Sequence, residues 1–317
     1  MKTLFAVVFS TVLLWSHCAG ALVPRATFSK PVRSEIRECD RWDLLVVKFN
    51  EGTAVRLRDG VFVSEADADV SGLHHLMTLY PDIRVARLFQ RPEAVYETEK
   101  ITGETRTGRQ LADLNLYYAF GPKNRLQAEA LLADLNALDL VETAYPEPIP
   151  ALPVNPAPKL LPPLYVDSQD YLEASPIGVD AYAAWNEPGG RGENVKMVDV
   201  ELAWVWTHQD LPAPFYEGGT QNPDQGYRNH GTAVMGEIAG IDNAFGITGI
   251  ANQAAVGGQA INIDDWPDNV GSHFDLASAA LDPGDVWLIE LHGPGPGGAY
   301  IAMEWWQANY DAIANST

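Results

Sequence analysis

Cysteine is nearly absent from this chain: there are two in 317 residues, and Cys18 falls within the segment read below as an export signal. A mature chain left with Cys39 alone has no partner for an internal disulfide, so covalent staples are excluded as a source of its stability. Basic residues are also scarce. The 21 Lys and Arg stand against 42 Asp and Glu, a formal net charge of -21. A surface of that sign repels nucleic acid and anionic membranes, and neither is expected as a partner. The leading apolar run, residues 4–15, is about twelve long, too short to span a bilayer. His74-His75 and His273 are scattered without the spacing of zinc ligands. No Gly-x-Ser-x-Gly elbow is present, which argues against an α/β-hydrolase nucleophile. Gly293-Pro-Gly295-Pro-Gly297-Gly298 has the glycines of a phosphate loop. Its prolines remove backbone donors, however, and no Lys-Ser/Thr follows, so a nucleotide site is set aside in favour of a loop beside a cleft.

What is present divides into four stretches. Met1-Lys2, the apolar run and Ala19-Gly20-Ala21 form a signal-peptide pattern over residues 1–21, which predicts a secreted protein. Residues 26–145 mix strand patterns at 44–49 and 141–145 with a helical leucine and alanine spacing at 126–135. They predict a small α+β unit that ends on an edge strand. Residues 146–164 are proline-rich and predict an extended linker open to proteolysis. Residues 165–317 alternate strands (195–200, 254–260, 285–289) with helices (230–240, 300–314). In the last of these, Glu304, Gln307 and Asp311 make a polar stripe while Ile301, Trp305, Ala308 and Ala312 face elsewhere. Alternation of this kind predicts an α/β fold, a parallel sheet with helices on both faces.

In such sheets reactive groups gather beyond the carboxyl ends of the strands. Val195-Lys-Met-Val-Asp199-Val-Glu201 ends an apolar strand on acids, and Asn229-His230-Gly231-Thr232 opens a helix of small residues. Alone, Asp199 would read as a helix or turn cap. Paired with His230, its carboxylate would accept the Nδ1 hydrogen, fix the tautomer and leave the other ring nitrogen to take a proton from a hydroxyl nucleophile. Glu201 reads in three ways: a solvated loop residue, a carboxylate acting on His230, or part of a substrate subsite.

His230-Gly-Thr-Ala-Val-Met-Gly236-Glu-Ile-Ala-Gly240 resembles, at every defined position, the catalytic His motif of the subtilisin-like serine proteases. The family's Asp-Thr/Ser-Gly is matched by Asp199 and its strand alone, since Val200-Glu201 follows. His208-Gln-Asp-Leu211 and Gly246-Ile-Thr-Gly-Ile-Ala251 are similar to further family segments. The resemblance implies a secreted serine endopeptidase acting on proteins or peptides, with catalytic Asp199 and His230. It implies that residues 26–145 form a propeptide that inhibits intramolecularly, its tail (142–148) in the cleft. It also implies that Glu290-Leu291-His292-Gly293, in place of the family's Ser-Leu-Gly-Gly, pairs with substrate backbone by strand addition. No cofactor is required for that chemistry. Structural calcium is common in the family, but no acidic cluster here, Asp264-Asp265 and Asp268 included, has the spacing of a calcium loop.

The family's oxyanion Asn and its Gly-Thr-Ser-x-x-x-Pro nucleophile have no counterpart before Thr317. Only Ser272, Ser278 and Ser316 follow His230, none in that context. The expectation is a precursor truncated before its nucleophile: an incomplete catalytic domain, inactive and poorly soluble alone. The alternative is a non-catalytic binding protein or a non-functional fragment on the same scaffold, and a Gly-Thr-Ser downstream would tell them apart.

Overall fold

Leu44, Leu45, Val46 and Val47 are all fully buried, which a strand allows only when both of its faces are covered. They lie on β1 (Asp40–Phe49), the first element of the computed structural model, which describes residues 22–26, 30, 35–151, 164–262 and 266–316. The expected signal segment, and residues 152–163 of the expected linker, lie outside the described residues. After β1 come a hairpin of β2 (Val55–Arg58) and β3 (Val61–Ser64), then α1 (Ser71–Leu79), β4 (Arg84–Arg87), α2 (Glu93–Thr107), β5 (Tyr117–Gly121), α3 (Arg125–Ala137) and β6 (Val141–Pro148). β4, β5, β1 and β6 form an antiparallel sheet in that order, with β6 at an edge. The edge position tolerates Pro146 and Pro148 within the strand. One face of this sheet, with Leu45, Val47 and Phe49, packs on Leu73 and Leu76 of α1 and on Leu131, Leu132 and Leu135 of α3.

The carboxy-terminal half contains α4 (Ala181–Ala184), β7 (Lys196–Glu201), β8 (Tyr216–Gly218), α5 (Gln225–Ala239), β9 (Ala255–Ala260), α6 (Val270–Ala279), β10 (Val286–Ile289), β11 (His292–Pro294), β12 (Tyr300–Ala302) and α7 (Gln307–Ser316). A second sheet has the order β10-β7-β9-β8, and every pairing in it is parallel. The expected α/β class with a parallel sheet is what the chain forms. Alternation along β7 sends Val198 and Val200 into the cluster that contains Val270 and Phe274 of α6. Met197 goes into the cluster with Met235 and Ala239 of α5. Asp199 and Glu201, at the same parity as Met197, therefore point to the α5 side. No helix among the described residues is long and apolar enough to cross a membrane.

Residues 300–314 do not form one helix. Tyr300–Ala302 pairs antiparallel with His292–Pro294 across the Gly/Pro turn, and α7 starts only at Gln307. Gln307 and Asp311, read from sequence as part of a polar stripe, are buried, and Asp311 accepts the Tyr117 hydroxyl from the first sheet.

That contact belongs to a broad seam between the two sheets. Leu44, Val46, Tyr117 and Ala119, on the other face of the antiparallel sheet, share a core with Phe274, Ala277, Ala308 and Ala312. Polar groups register the seam. Arg91 Nε lies 3.0 and 2.9 Å from the two Asp275 carboxylate oxygens, and the Tyr96 hydroxyl donates to Asp275 at 2.7 Å. Two helix amino termini, whose N–H groups have no partner within the helix, find acceptors on β6. Val270 N donates to Glu147 Oε1 at 2.8 Å, and Ala308 N donates to the Tyr145 hydroxyl at 2.9 Å.

Burial, opposed by the Val270 N–H and by Arg41, pushes the Glu147 carboxyl up to about 7. A carboxyl that protonates more readily folded than unfolded stabilises the fold below its ordinary pKa, and that contribution is lost as the pH climbs to 7. Glu147→Gln keeps the acceptor for Val270 and removes the titration. The unfolding free energy of the parent in urea titrations is therefore expected to fall between about pH 5 and about pH 8 relative to that of the variant, by up to a few kcal/mol. A parallel pH dependence in the two proteins would count against this assignment.

Candidate active site

β7 is an interior strand, with Asp199 beside Leu288 of β10 and Gly258 of β9. Its last residue is Glu201, beside Ala260. Helix α5 approaches from the side to which these acids point. Asp224 caps it by accepting the Gly226 N–H at 2.7 Å. The helix consequently begins at Gln225, five residues before the position expected from sequence, and His230 lies in its second turn rather than at its mouth. Thr232 holds the next loop against the helix, its hydroxyl accepting Val205 N at 2.9 Å.

Two glycines make the approach close. A Cβ on Gly231 would collide with Glu201 Oε2 and with the Ala203 carbonyl oxygen, and would stand 2.8 Å from Trp204 Cδ1. A Cβ on Gly258 would stand 2.8 Å from the Trp204 ring. Trp204 can thus lie flat against β9, stacked on Trp206 with ring centroids 5.4 Å apart.

Within this arrangement the partner of His230 is Glu201. His230 Nδ1 meets Glu201 Oε1. Asp199, assigned this place from sequence, is engaged elsewhere: its Oδ2 accepts the Trp204 indole N–H at 2.8 Å. Both acids leave β7 on the same side. The one that closes on the imidazole is the one at the strand's end, with a further methylene of reach. Asp199 and Glu201 are fully buried, whereas the His230 side chain is 18% exposed. Burial first, then the charges of Asp199 and Glu290, raise the Glu201 carboxyl. Burial, against the opposing Trp204 bond, raises Asp199. With Glu201 ionised, Nδ1 carries the hydrogen and Nε2 is left as an acceptor, the state a general base requires.

Glu290, Leu291, His292 and Gly293 follow β10, beside the end of β7. Glu290 N donates to Val200 O at 3.4 Å. His292 and Ala151 exchange both backbone hydrogen bonds, Ala151 N to His292 O at 3.0 Å and His292 N to Ala151 O at 3.3 Å. An extended backbone from just beyond β6 therefore lies antiparallel on the segment expected to receive one. The tail expected there, residues 142–148, is instead occupied as strand β6.

None of the serines after His230 is bonded to it. The Ser272 hydroxyl donates to the Asn269 carbonyl at 2.8 Å in the first turn of α6, which Asn269 caps, and the Ser316 hydroxyl donates to Ile313 O. Among the described residues, no group of three or more His, Cys, Asp or Glu is arranged to hold a metal ion. The Asp264-Asp265 pair lies outside them.

No protein-family model matches the chain. Subtilisin E of Bacillus subtilis strain 168 is 32% identical over 95 residues, 28% of this chain and 25% of that protein. An intracellular serine protease of Paenibacillus polymyxa is 31% identical over 106 residues, 30% of this chain and 32% of that protein. Among solved structures, fervidolysin from Fervidobacterium pennivorans, a keratinolytic enzyme related to subtilisin, matches with a TM-score of 0.48 at 13% identity. That match covers 93% of this chain and 41% of that one. The chain spans a quarter to a third of the length of these two curated relatives.

Proposed function

We propose, starting from the subtilisin-like family to which the matched segment of this chain is related, that the chain is part of a secreted serine endopeptidase precursor. The observation that carries the reading is the meeting of His230 Nδ1 with Glu201 at the carboxyl end of a parallel strand. Glu201 holds the imidazole in one tautomer and stabilises the imidazolium. His230 Nε2 takes the proton of a serine hydroxyl supplied from outside these residues, as the oxygen attacks the scissile carbonyl. His230 then returns that proton to the leaving amine, and water hydrolyses the acyl-enzyme by the same path in reverse. These proton and acyl transfers call for no cofactor.

Protein or peptide substrate adds as a strand on residues 290–293. Ala151 on His292 supports this, because it shows that segment accepting an antiparallel backbone. By the same token residues 26–145 act as an intramolecular inhibitor, seated through the seam with α6 and α7 and followed by the backbone at Ala151 that covers the cleft. Release requires cutting in the proline-rich stretch that follows.

The test is labelling by a fluorophosphonate of the protein expressed with whatever its gene encodes after Thr317. One serine is expected to be labelled, and His230→Ala is expected to slow the labelling by about 10³-fold or more. Equal labelling of the two proteins would overturn the reading.

A further inference from the structure

Glu201 is not alone behind His230. Asp199 lies two residues earlier on β7 and leaves the strand on the same side. Glu290 follows β10 at the level of Glu201, since Ile289 is paired with Val200. Of the four carboxylate oxygens on Asp199 and Glu201, two are engaged, one by Trp204 Nε1 and one by His230 Nδ1. The other two, Asp199 Oδ1 and Glu201 Oε2, are buried with no hydrogen-bond partner. Bare ionised oxygens shut away from water are among the costliest groups a fold can contain.

No cation offsets them. Among the described residues the sole ion pair to either acid is that of His230. Arg228, two residues before His230 on α5, makes none with them, and its Nε is itself without a partner. The group facing the acids from β10 is Glu290, a third acid, and the group facing them from the loop after β7 is the neutral Trp204 indole. What two buried carboxyls with one free oxygen each can accept is a proton.

We propose that Asp199 is a positioning residue whose carboxyl holds a proton on behalf of the Asp199–Glu201 pair, so that one negative charge, presented by Glu201, faces His230. This rests on the functional reading above and deepens it. The bound proton neutralises one of the two buried carboxylates and leaves Glu201 ionised to accept from Nδ1. Raising the pH removes the proton from the pair as a unit. A second negative charge then appears behind Glu201, and the electronic environment of the imidazole changes a second time. Burial first, with the charge of Glu290 after it, raises both carboxyls, the direction that retains a proton into the neutral range, and it is the His230 Nδ1 hydrogen that keeps the charge on Glu201.

The experiment is long-range proton–nitrogen NMR of His230 in the full 317-residue chain across pH 4 to 10, with circular dichroism as the check of folding. The parent is expected to show two steps in the His230 nitrogen shifts, its own and that of the carboxyl pair. Asp199→Asn keeps an acceptor for Trp204 but cannot titrate, and should lose the second step. Glu290→Gln should retain both steps and move the second down by about one pH unit, because a like charge has been removed. If Asp199→Asn does not fold, Glu290→Gln decides. Curves for the folded variants that superimpose on the parent overturn the proposal. Glu201→Gln separates the two levels of inference. If it too leaves His230 unmoved, the His230–Glu201 pairing and the protease reading fail together. If it alone moves His230, only the role of Asp199 fails.

Discussion

Glu201→Gln, made in the protein expressed with whatever its gene encodes after Thr317, is expected on the proposed function to lower kcat by about 10⁴-fold with little change in KM. The amide has nearly the shape of the carboxylate, so β7 and residues 290–293 beside it are left in place. What changes is the partner of Nδ1. A neutral amide does not stabilise the imidazolium, and when its NH₂ turns toward the ring it favours the tautomer whose Nε2 already carries hydrogen. The loss corresponds to about 5 kcal/mol of transition-state stabilisation. Asp199→Asn should cost far less at neutral pH, because that side chain touches Trp204 and not His230. Initial rates on a chromogenic peptide for the two variants check this. A deeper loss in Asp199→Asn than in Glu201→Gln would restore the assignment suggested by the sequence motif.

That motif misled for a physical reason. A period of two puts Asp199 and Glu201 on one face of β7, so periodicity cannot choose between them. The choice is made by where the strand ends, by the reach of one extra methylene, and by a tryptophan that claims the shorter acid. The legible signals were the strand ending at Glu201 instead of Val200, and the glycine after His230, which leaves room for a carboxylate against the helix.

Elements with an unbroken pattern were read well. The leucine spacing at 126–135 became α3, and 254–260 became β9 to within a residue. β8 is three residues long and is held by its pairing with β9, a context that no local pattern carries. Residues 300–314 failed as a single helix because the Gly/Pro turn before them builds a hairpin. The burial of Gln307 and Asp311 is not legible locally, because Tyr117, which donates to Asp311, is 194 residues away along the chain, and Gln307 in turn donates to Asp311. Polar residues covered by a distant part of the same chain look the same in sequence as polar residues facing water.

Gly231→Ala should show how tightly the site depends on close approach. The added methyl group would fall inside contact distance of Glu201 Oε2 and of the Ala203 carbonyl. The carbonyl belongs to backbone and cannot swing aside as the end of a flexible side chain can. Either α5 moves out from the sheet or the loop after β7 shifts, and both separate His230 from Glu201. Overpacking of this kind costs about 1–3 kcal/mol of stability, and misplacing the base by about 1 Å costs about 10²-fold in turnover. Denaturant unfolding and steady-state rates on one preparation would measure both. Gly226, in the first turn of the same helix, is the control: a Cβ there meets only the Asp224 carboxylate oxygen at 2.9 Å, the mobile end of a capping side chain. Gly226→Ala is therefore expected to leave turnover within about twofold of the parent, since Ala is the better helix former and nothing near His230 has to move. If the two substitutions cost the same, the requirement at position 231 is for backbone flexibility and not for space, and the close packing of helix on carboxylate is not what sets the geometry of the pair.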